Sequence, residues 1–187
     1  MTILCQLADV KNYSGATDPT TDSAVTQLIT NASAFIERFC NRTFATTSYV
    51  ETRNGNNRRR MMLNNSPIQS VSAVTIDGIV VPQSTGPLVA GYTFDEHSLY
   101  LRPGSGFNTF ERGVQNVSIT YIAGFTTVPP DVAQACIELV GFKLAKRNRI
   151  DKKNETLGTQ QTIGFDTSDM PASVKTALMS YQRVTVF

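Results

Sequence analysis

DSAVTQLITNASAFIERFCNRTFATTSYVET, residues 22–52, decides the fold, because its periodicity changes part-way along. Val25, Leu28, Ile29, Ala32, Ile36 and Phe39 recur at the i, i+3, i+4 spacing of one helix face, so Asp22 to Cys40 reads as an amphipathic helix. Asp18-Pro19 or Thr21-Asp22 offers its start. Beyond Thr46 the helical spacing disappears, and TSYVET begins a run of β-branched and aromatic residues. A helix feeding directly into strands predicts an α+β chain.

Upstream, Leu7, Val10 and Lys11 fit a short helical turn that Ser14-Gly15 ends. Downstream, TSYVET, RMML, VSAVTID, IVVP, YTF, SLYLR and VSITYI follow one another as short β-prone runs between turn residues. Asp77-Gly78 is the strongest hairpin signal, since a two-residue primed turn needs positive φ at both positions. Residues 46–123 are therefore expected to be a β-rich insertion, a small antiparallel sheet carried between helical parts at 6–41 and 130–182.

Pro129-Pro130-Asp131 opens a second main helix, Asp131 to Asn148. Val132, Ala135, Cys136, Leu139 and Lys143 share one face, and Ala133, Ile137, Val140 and Leu144 the next, so the apolar arc is wide. Such a helix must be covered on more than one side, either as a central core helix or as one shared with a neighbouring subunit. Residues 150–170 are polar and aperiodic, and are expected to be a mobile loop. Pro171, Val174, Ala177, Leu178 and Tyr181 mark a last short helix, and RVTVF closes the chain as a β-prone tail at 183–187. No repeat or linker divides the sequence, so a single domain over 1–187 is expected: a small bundle of two main and two short helices with an inserted antiparallel sheet.

Composition excludes several classes. With 187 residues, 41% hydrophobic and 17% charged, the chain can bury an ordinary core, and a net charge of +2 announces neither nucleic acid nor membrane by itself. Cys5, Cys40 and Cys136 are odd in number, spread along the sequence and outside any C-x-x-C pair, which argues against a disulfide framework or structural zinc and suits a reducing compartment. No stretch has the length of a membrane span, and MTILCQLADV lacks a basic leader, so folding in the cytoplasm without a targeting signal is expected.

A search for chemistry finds no catalytic constellation. No phosphate loop, dinucleotide fingerprint, G-x-S-x-G elbow or H-E-x-x-H occurs. His97, the one histidine, lies in DEHSLY at a strand entry without a nucleophile beside it, and reads as a solvated loop residue. Asp95 and Glu96 are adjacent, and on a strand would face opposite ways, so a turn explains them better than acid–base work. No catalytic, metal or cofactor site is expected.

Two basic clusters remain. Arg58-Arg59-Arg60 reads as a solvated loop tip or as a docking point for a partner. Lys143, Lys146, Arg147, Arg149, Lys152 and Lys153 gather around a helix C-terminus, which the helix dipole favours without any ligand; alternatively they contact DNA phosphates without reading sequence.

The order of elements resembles a known family. IERFCNRTF at 36–44, a β-rich insertion, VPPDVAQACIELVGFKLAKR at 128–147 and a terminal helix follow in sequence, with LADVKNYSG at 7–15, LNNSPIQSVSAVTIDGIVV at 63–81 and VSITYIAGFTTVPPDV at 117–132 as further matches. This resembles the head-to-tail connector (adaptor) proteins of tailed bacteriophages over nearly the whole chain. The resemblance implies a structural virion protein and not an enzyme. It would form a homo-oligomeric ring, usually of about twelve subunits, under the portal at the head–tail junction, continuing the DNA channel.

Its implied partners are the portal protein, a tail or stopper (tail-completion) protein and, without sequence specificity, packaged double-stranded DNA; no membrane and no cofactor are implied. Within that picture Val184, Thr185, Val186 and Phe187 are the candidate portal-binding tail. Arg58, Arg59, Arg60, Lys143, Lys146 and Arg147 are the candidate channel- or partner-facing cations, and Ile36, Phe39, Ile137, Val140 and Leu144 the candidate subunit interface. The long polar stretch at 150–170 departs from the family pattern. The alternative is a sequence-independent nucleic-acid-binding module using the basic clusters.

Overall fold

A computed structural model describes residues 2–15, 18–104, 106–147, 154–157, 161–164 and 169–183. The chain divides into two compact units, one of Met1–Phe44 with Val128–Phe187 and the other of Ala45–Thr127. The first holds the helical parts expected at 6–41 and 130–182, the second the expected β-rich insertion. Among the described residues the architecture is α+β, with four α-helices and antiparallel sheets of four, three and two strands.

In the helical unit, α1 (Leu7–Ser14) ends on Gly15 at φ +68°, a left-handed turn that glycine adopts without a Cβ penalty. α2 (Asp22–Cys40) has the bounds its periodicity predicts, and its buried positions Val25, Ile29, Ala32 and Ile36 belong to the predicted stripe. Asp18 starts the preceding 3-10 turn by accepting from Thr20 N at 2.9 Å. Lys11 Nζ, at 2.7 Å from Asp22 Oδ1, ties α1 to the start of α2.

α3 (Pro130–Lys146) starts on its second proline, whose missing N–H costs nothing at a helix N-terminus, and is capped by Arg147. It packs against α1, α2 and α4 (Ala172–Met179), with Val132, Ala135, Cys136, Leu139 and Val140 buried. Its wide apolar arc is thus explained within the unit: α3 is the central core helix. After α4 the chain is pinned beside the end of α2. Arg183 N donates to Cys40 O at 2.9 Å, Tyr181 Oη reaches the Asp131 carboxylate at 2.8–2.9 Å, and the Tyr181 and Phe44 rings meet edge-on.

The second unit contains all seven predicted strands. β1 (Thr47–Gly55), β7 (Gly113–Ala123), β3 (Ile68–Ile76) and β4 (Ile79–Val81) form one sheet in the order β1-β7-β3-β4; β2 (Arg60–Met62), β6 (Ser98–Arg102) and β5 (Gly91–Phe94) form the other, in the order β2-β6-β5. Asp77 and Gly78 take φ of +50° and +80°, the two positive values that the β3–β4 hairpin needs. β7 alternates cleanly: Val117, Ile119, Tyr121 and Ala123 are fully buried while Ser118, Thr120 and Ile122 point the other way. β3 does not, because register shifts between Ile68 and Ser70 and between Val71 and Ala73 re-aim its side chains, leaving Ile68, Val71, Val74 and Ile76 inward. Inward residues of both sheets share one core, completed by Phe107 and Phe110.

One expectation changes. Inside the stretch read as a mobile loop at 150–170, β8 (Asn154–Leu157) pairs antiparallel with β9 (Gln161–Gly164). Thr156, Thr162 and Ile163 supply β-branched residues that the polar composition masks. The other residues of that stretch up to 168, and the tail 184–187, lie outside the described residues.

Candidate functional site

The residues singled out for chemistry are placed by the fold in structural roles. Asp95 caps the β5–β6 turn: Oδ1 accepts from His97 N at 2.8 Å and Ser98 N at 2.7 Å, and Oδ2 from Tyr100 Oη at 2.8 Å. These bonds, led by the one from His97 N, hold its carboxyl below the usual carboxylate range. Glu96 and His97 are exposed on the same turn. Among the described residues, no three His, Cys, Asp or Glu side chains converge to hold a metal ion.

The arginine triplet is more ordered than a solvated tip. Asn57 N donates to Phe110 O at 2.7 Å, Phe110 N returns a bond to Arg58 O at 2.9 Å, and the Asn56 side chain bridges Arg58 N and Arg60 O, each at 2.9 Å. The loop backbone is therefore fixed while Arg58, Arg59 and Arg60 are exposed. Beside it runs a groove of about 360 Å³ walled by Arg53, Asn54, Asn56, Arg58, Arg60 and Met62. Two of its arginines are locked. Arg53 Nη1 bonds Glu51 Oε1 at 2.9 Å and Asn64 Oδ1 at 2.8 Å, while Arg60 Nε donates to Ser98 Oγ at 3.0 Å with its guanidinium 5.7 Å from the Tyr100 ring centre.

Arg53 was missed in the sequence. It sits at an ordinary strand position, and only the folded chain brings it to the same groove as Arg58 and Arg60. Glu51, which orients it, is nearly buried and also accepts from Tyr121 Oη at 2.6 Å.

On α3, Lys143 Nζ lies 5.2 Å from the Phe35 ring centre and Lys146 Nζ 4.3 Å from that of Phe142. Both cations stand in the helix's last turn, where the dipole favours them, and both cover rings of their own unit. Arg147 caps the helix and is exposed; Arg149, Lys152 and Lys153 lie outside the described residues. The two basic clusters belong to different units, Arg58 to Arg60 to the β-rich one and Lys143 to Arg147 to the helical one.

Of the candidate interface residues, Ile36 and Val140 are fully buried in their own unit and offer no surface. Phe39, Ile137 and Leu144 are half-buried and do. Leu144 belongs to the wall of an open groove of about 580 Å³, together with Tyr13, Glu138, Gly141, Phe142 and Pro171. A second open surface, not singled out in the sequence, is the outer face of the four-stranded sheet. Val50 (73% exposed) faces out beside Thr120, Ile122 beside Ser48, and Val80 beside Thr75, with no charge among them.

The described residues thus offer fixed cations and uncharged faces, and no cluster of His, Cys, Asp or Glu that could hold a metal ion. A family model described as head completion protein matches residues 3–184. The chain belongs to the head completion protein family. Head completion proteins are structural, and the chain is a structural protein of that family, not an enzyme.

Solved structures with the same fold include chains from gene transfer agent (GTA) particles. One chain, from the neck of an empty particle computed with C6 symmetry, is 16% identical, with a TM-score of 0.59 over 100% of this chain and 95% of that one. A chain from the virion of a native particle is 17% identical, with a TM-score of 0.56 over 98% and 92%. A third, from the neck of a native particle computed with C12 symmetry, is 15% identical, with a TM-score of 0.54 over 100% and 94%. Among curated proteins none matches this sequence. No helix among the described residues of this head completion protein is long and apolar enough to cross a membrane.

Proposed function

We propose that this head completion protein forms a ring, of about twelve copies, that joins the portal of a phage-like head to the tail and continues the DNA channel at the particle's neck. The observation that carries the reading is full-length agreement: the family model covers residues 3–184, and the fold coincides end to end with chains in neck assemblies of sixfold and twelvefold symmetry. Phe39, Ile137 and Leu144 are the ring contacts of the helical unit. Arg58, Arg59, Arg60, Lys143, Lys146 and Arg147 are the cations presented to DNA or to a neighbour, acting on phosphates without reading bases.

Residues 184–187 continue from a fixed point, because Arg183 N is bonded to Cys40 O. Val184 to Phe187 then add a strand to the portal, with main-chain hydrogen bonds giving affinity. A tail-side stopper or tail-completion protein is the further partner.

Native mass spectrometry across a concentration series, with negative-stain images of the same samples, tests the ring. Closed rings are expected, either alone or on addition of the particle's portal protein. A chain that stays monomeric under both conditions refutes the reading. Deleting Thr185 to Phe187 is expected to abolish portal binding with the circular dichroism spectrum intact, and unchanged binding refutes the tail assignment.

One observation favours a second reading, a sequence-independent nucleic-acid-binding module: the groove holding Arg53, Arg58 and Arg60 is cationic and partly preorganised. It predicts duplex binding by the monomer at low salt that weakens steeply as salt rises. No binding at low salt rejects it.

A further inference from the structure

Cys5 precedes α1 and Cys136 lies mid-way along α3, 131 positions away in sequence, yet their Sγ atoms are 3.3 Å apart. Both thiols are free and buried within the helical unit. The backbone around Cys5 is held in place: Leu4 N donates to Ser33 Oγ at 3.1 Å, and Ser33 Oγ lies 3.7 Å from Cys136 Sγ. A disulfide brings its sulfurs to about 2.05 Å, so closure requires an approach of just over ~1 Å, within reach of small side-chain rotations. Cys40, the third thiol, is occupied elsewhere, with its Sγ 3.8 Å from Leu178 O.

We propose that Cys5 and Cys136 are a disulfide-forming pair, a clasp that fastens the N-terminal segment covalently to the central helix when the protein meets an oxidising medium. The oxidant class is a small disulfide such as oxidised glutathione. Leu4 and Cys5 are buried between the exposed Ile3 and Gln6, so a local opening that releases the Leu4–Ser33 bond delivers Cys5 to the oxidant while α3 stays packed. The Cys5 thiolate attacks one sulfur of the oxidant, forming a mixed disulfide and releasing one thiol. When the segment docks again, the Cys136 thiolate attacks the Cys5 sulfur, the bond to the oxidant's second sulfur breaks, and the second thiol leaves. Two protein thiols have lost two electrons and two protons, and one small disulfide has become two thiols.

The docked Cys5 thiol is pushed up by its hydrogen bond to Cys136 and by burial, so it becomes the attacking thiolate only when the segment opens. At Cys136 the hydrogen bond from Cys5 favours the thiolate most and burial opposes it, while the bond from Ser33 and the charge of Lys143 favour it and persist when Cys5 is bound to the oxidant. Cys40, fully buried with its Sγ against Leu178 O and its thiol pushed up to about 11 by burial, serves as an internal control.

Incubating the full chain with oxidised glutathione and measuring its denatured, non-reduced mass tests the pair. The expected result is a loss of two hydrogen masses, one cross-linked peptide pair containing Cys5 and Cys136, and Cys40 still open to alkylation. Cys40→Ser should oxidise like the parent, whereas Cys5→Ser and Cys136→Ser should not. The oxidised chain should melt about 10 °C higher than the reduced one, because the bond closes a long loop. Three alkylatable thiols after oxidation, or a link that uses Cys40 or joins two chains, overturns the proposal. A correct link without a rise in melting temperature would deny it the role of a clasp.

Discussion

Replacing Tyr121 with phenylalanine tests how the β-rich unit holds its arginine groove. The Tyr121 ring is fully buried on β7, and its hydroxyl donates to Glu51 Oε2 at 2.6 Å while accepting from Asn65 N at 3.2 Å and Asn65 Nδ2 at 3.1 Å. Burial, followed by the bond to Glu51, raises its pKa well above the usual phenol value, so the hydroxyl stays protonated and remains a donor. Phenylalanine fills the same space and creates almost no cavity; what is lost is a hydrogen bond to a charged group, worth about 1.5–3 kcal/mol, together with the acceptor for Asn65. For a unit the size of residues 45–127, about 2 kcal/mol corresponds to a fall of roughly 10 °C in melting temperature.

Glu51 also orients Arg53 through Oε1, so Glu51→Gln should weaken the same network from its other side and loosen one wall of the groove. Urea titrations of Tyr121→Phe, Glu51→Gln and the double variant read the coupling directly. The double variant should lose clearly less than the sum of the single losses. Strict additivity, or a Tyr121→Phe loss under about 0.5 kcal/mol, would show that the hydroxyl is not tied to the carboxylate in solution.

Leu144→Asp places a charge in the open groove beside α3 and should weaken each proposed ring contact by more than about 2 kcal/mol, read by native mass spectrometry, while leaving monomer ellipticity unchanged. Gly124→Ala should destabilise the β-rich unit by at least about 2 kcal/mol in urea titrations, since Gly124 sits at φ +122° and an added Cβ would stand 2.3 Å from Ala45 O. Asp95→Asn bears on acid stability. The folded carboxyl titrates below its unfolded value of about 3.9, so its contribution is present above that pH and is lost as pH falls through the folded pKa. Urea midpoints of parent and variant should therefore differ at pH 7 and converge below about pH 4; a gap that widens in acid contradicts the assignment.

The legible parts of this fold were those governed by local rules. α2 follows from an apolar stripe and the β3–β4 turn from Asp77-Gly78, because periodicity and positive φ are properties of a few adjacent residues. What escaped depends on pairing between distant segments. The bulges of β3 move Val71 and Val74 onto the same face although three positions separate them, and no alternation rule foresees that. The β8–β9 pair was hidden by polar composition, and the Cys5–Cys136 proximity by 131 intervening residues. The surface residues fared unevenly for the same reason: a wide apolar arc says that α3 must be covered, not by what, and α1, α2 and α4 cover most of it.

The basic residues illustrate how packing redistributes a charge pattern. Arg60 is held by Ser98 and Tyr100, while Lys143 and Lys146 stand over Phe35 and Phe142, so three of the six candidate cations have local roles. Arg58 and Arg59 have no ion-pair partner among the described residues, and Arg147 is exposed at the end of α3. Three such cations among the six candidates suit the proposed channel better than a tight DNA-binding site. A ring of about twelve copies would repeat them into a continuous weak field, and the counterions displaced at any one subunit would be few. DNA held that way is guided and can still slide, whereas a single subunit with six mobile cations would grip it. The same arithmetic separates the two functional readings: a neck ring should show avidity for DNA only when assembled, and the isolated monomer little.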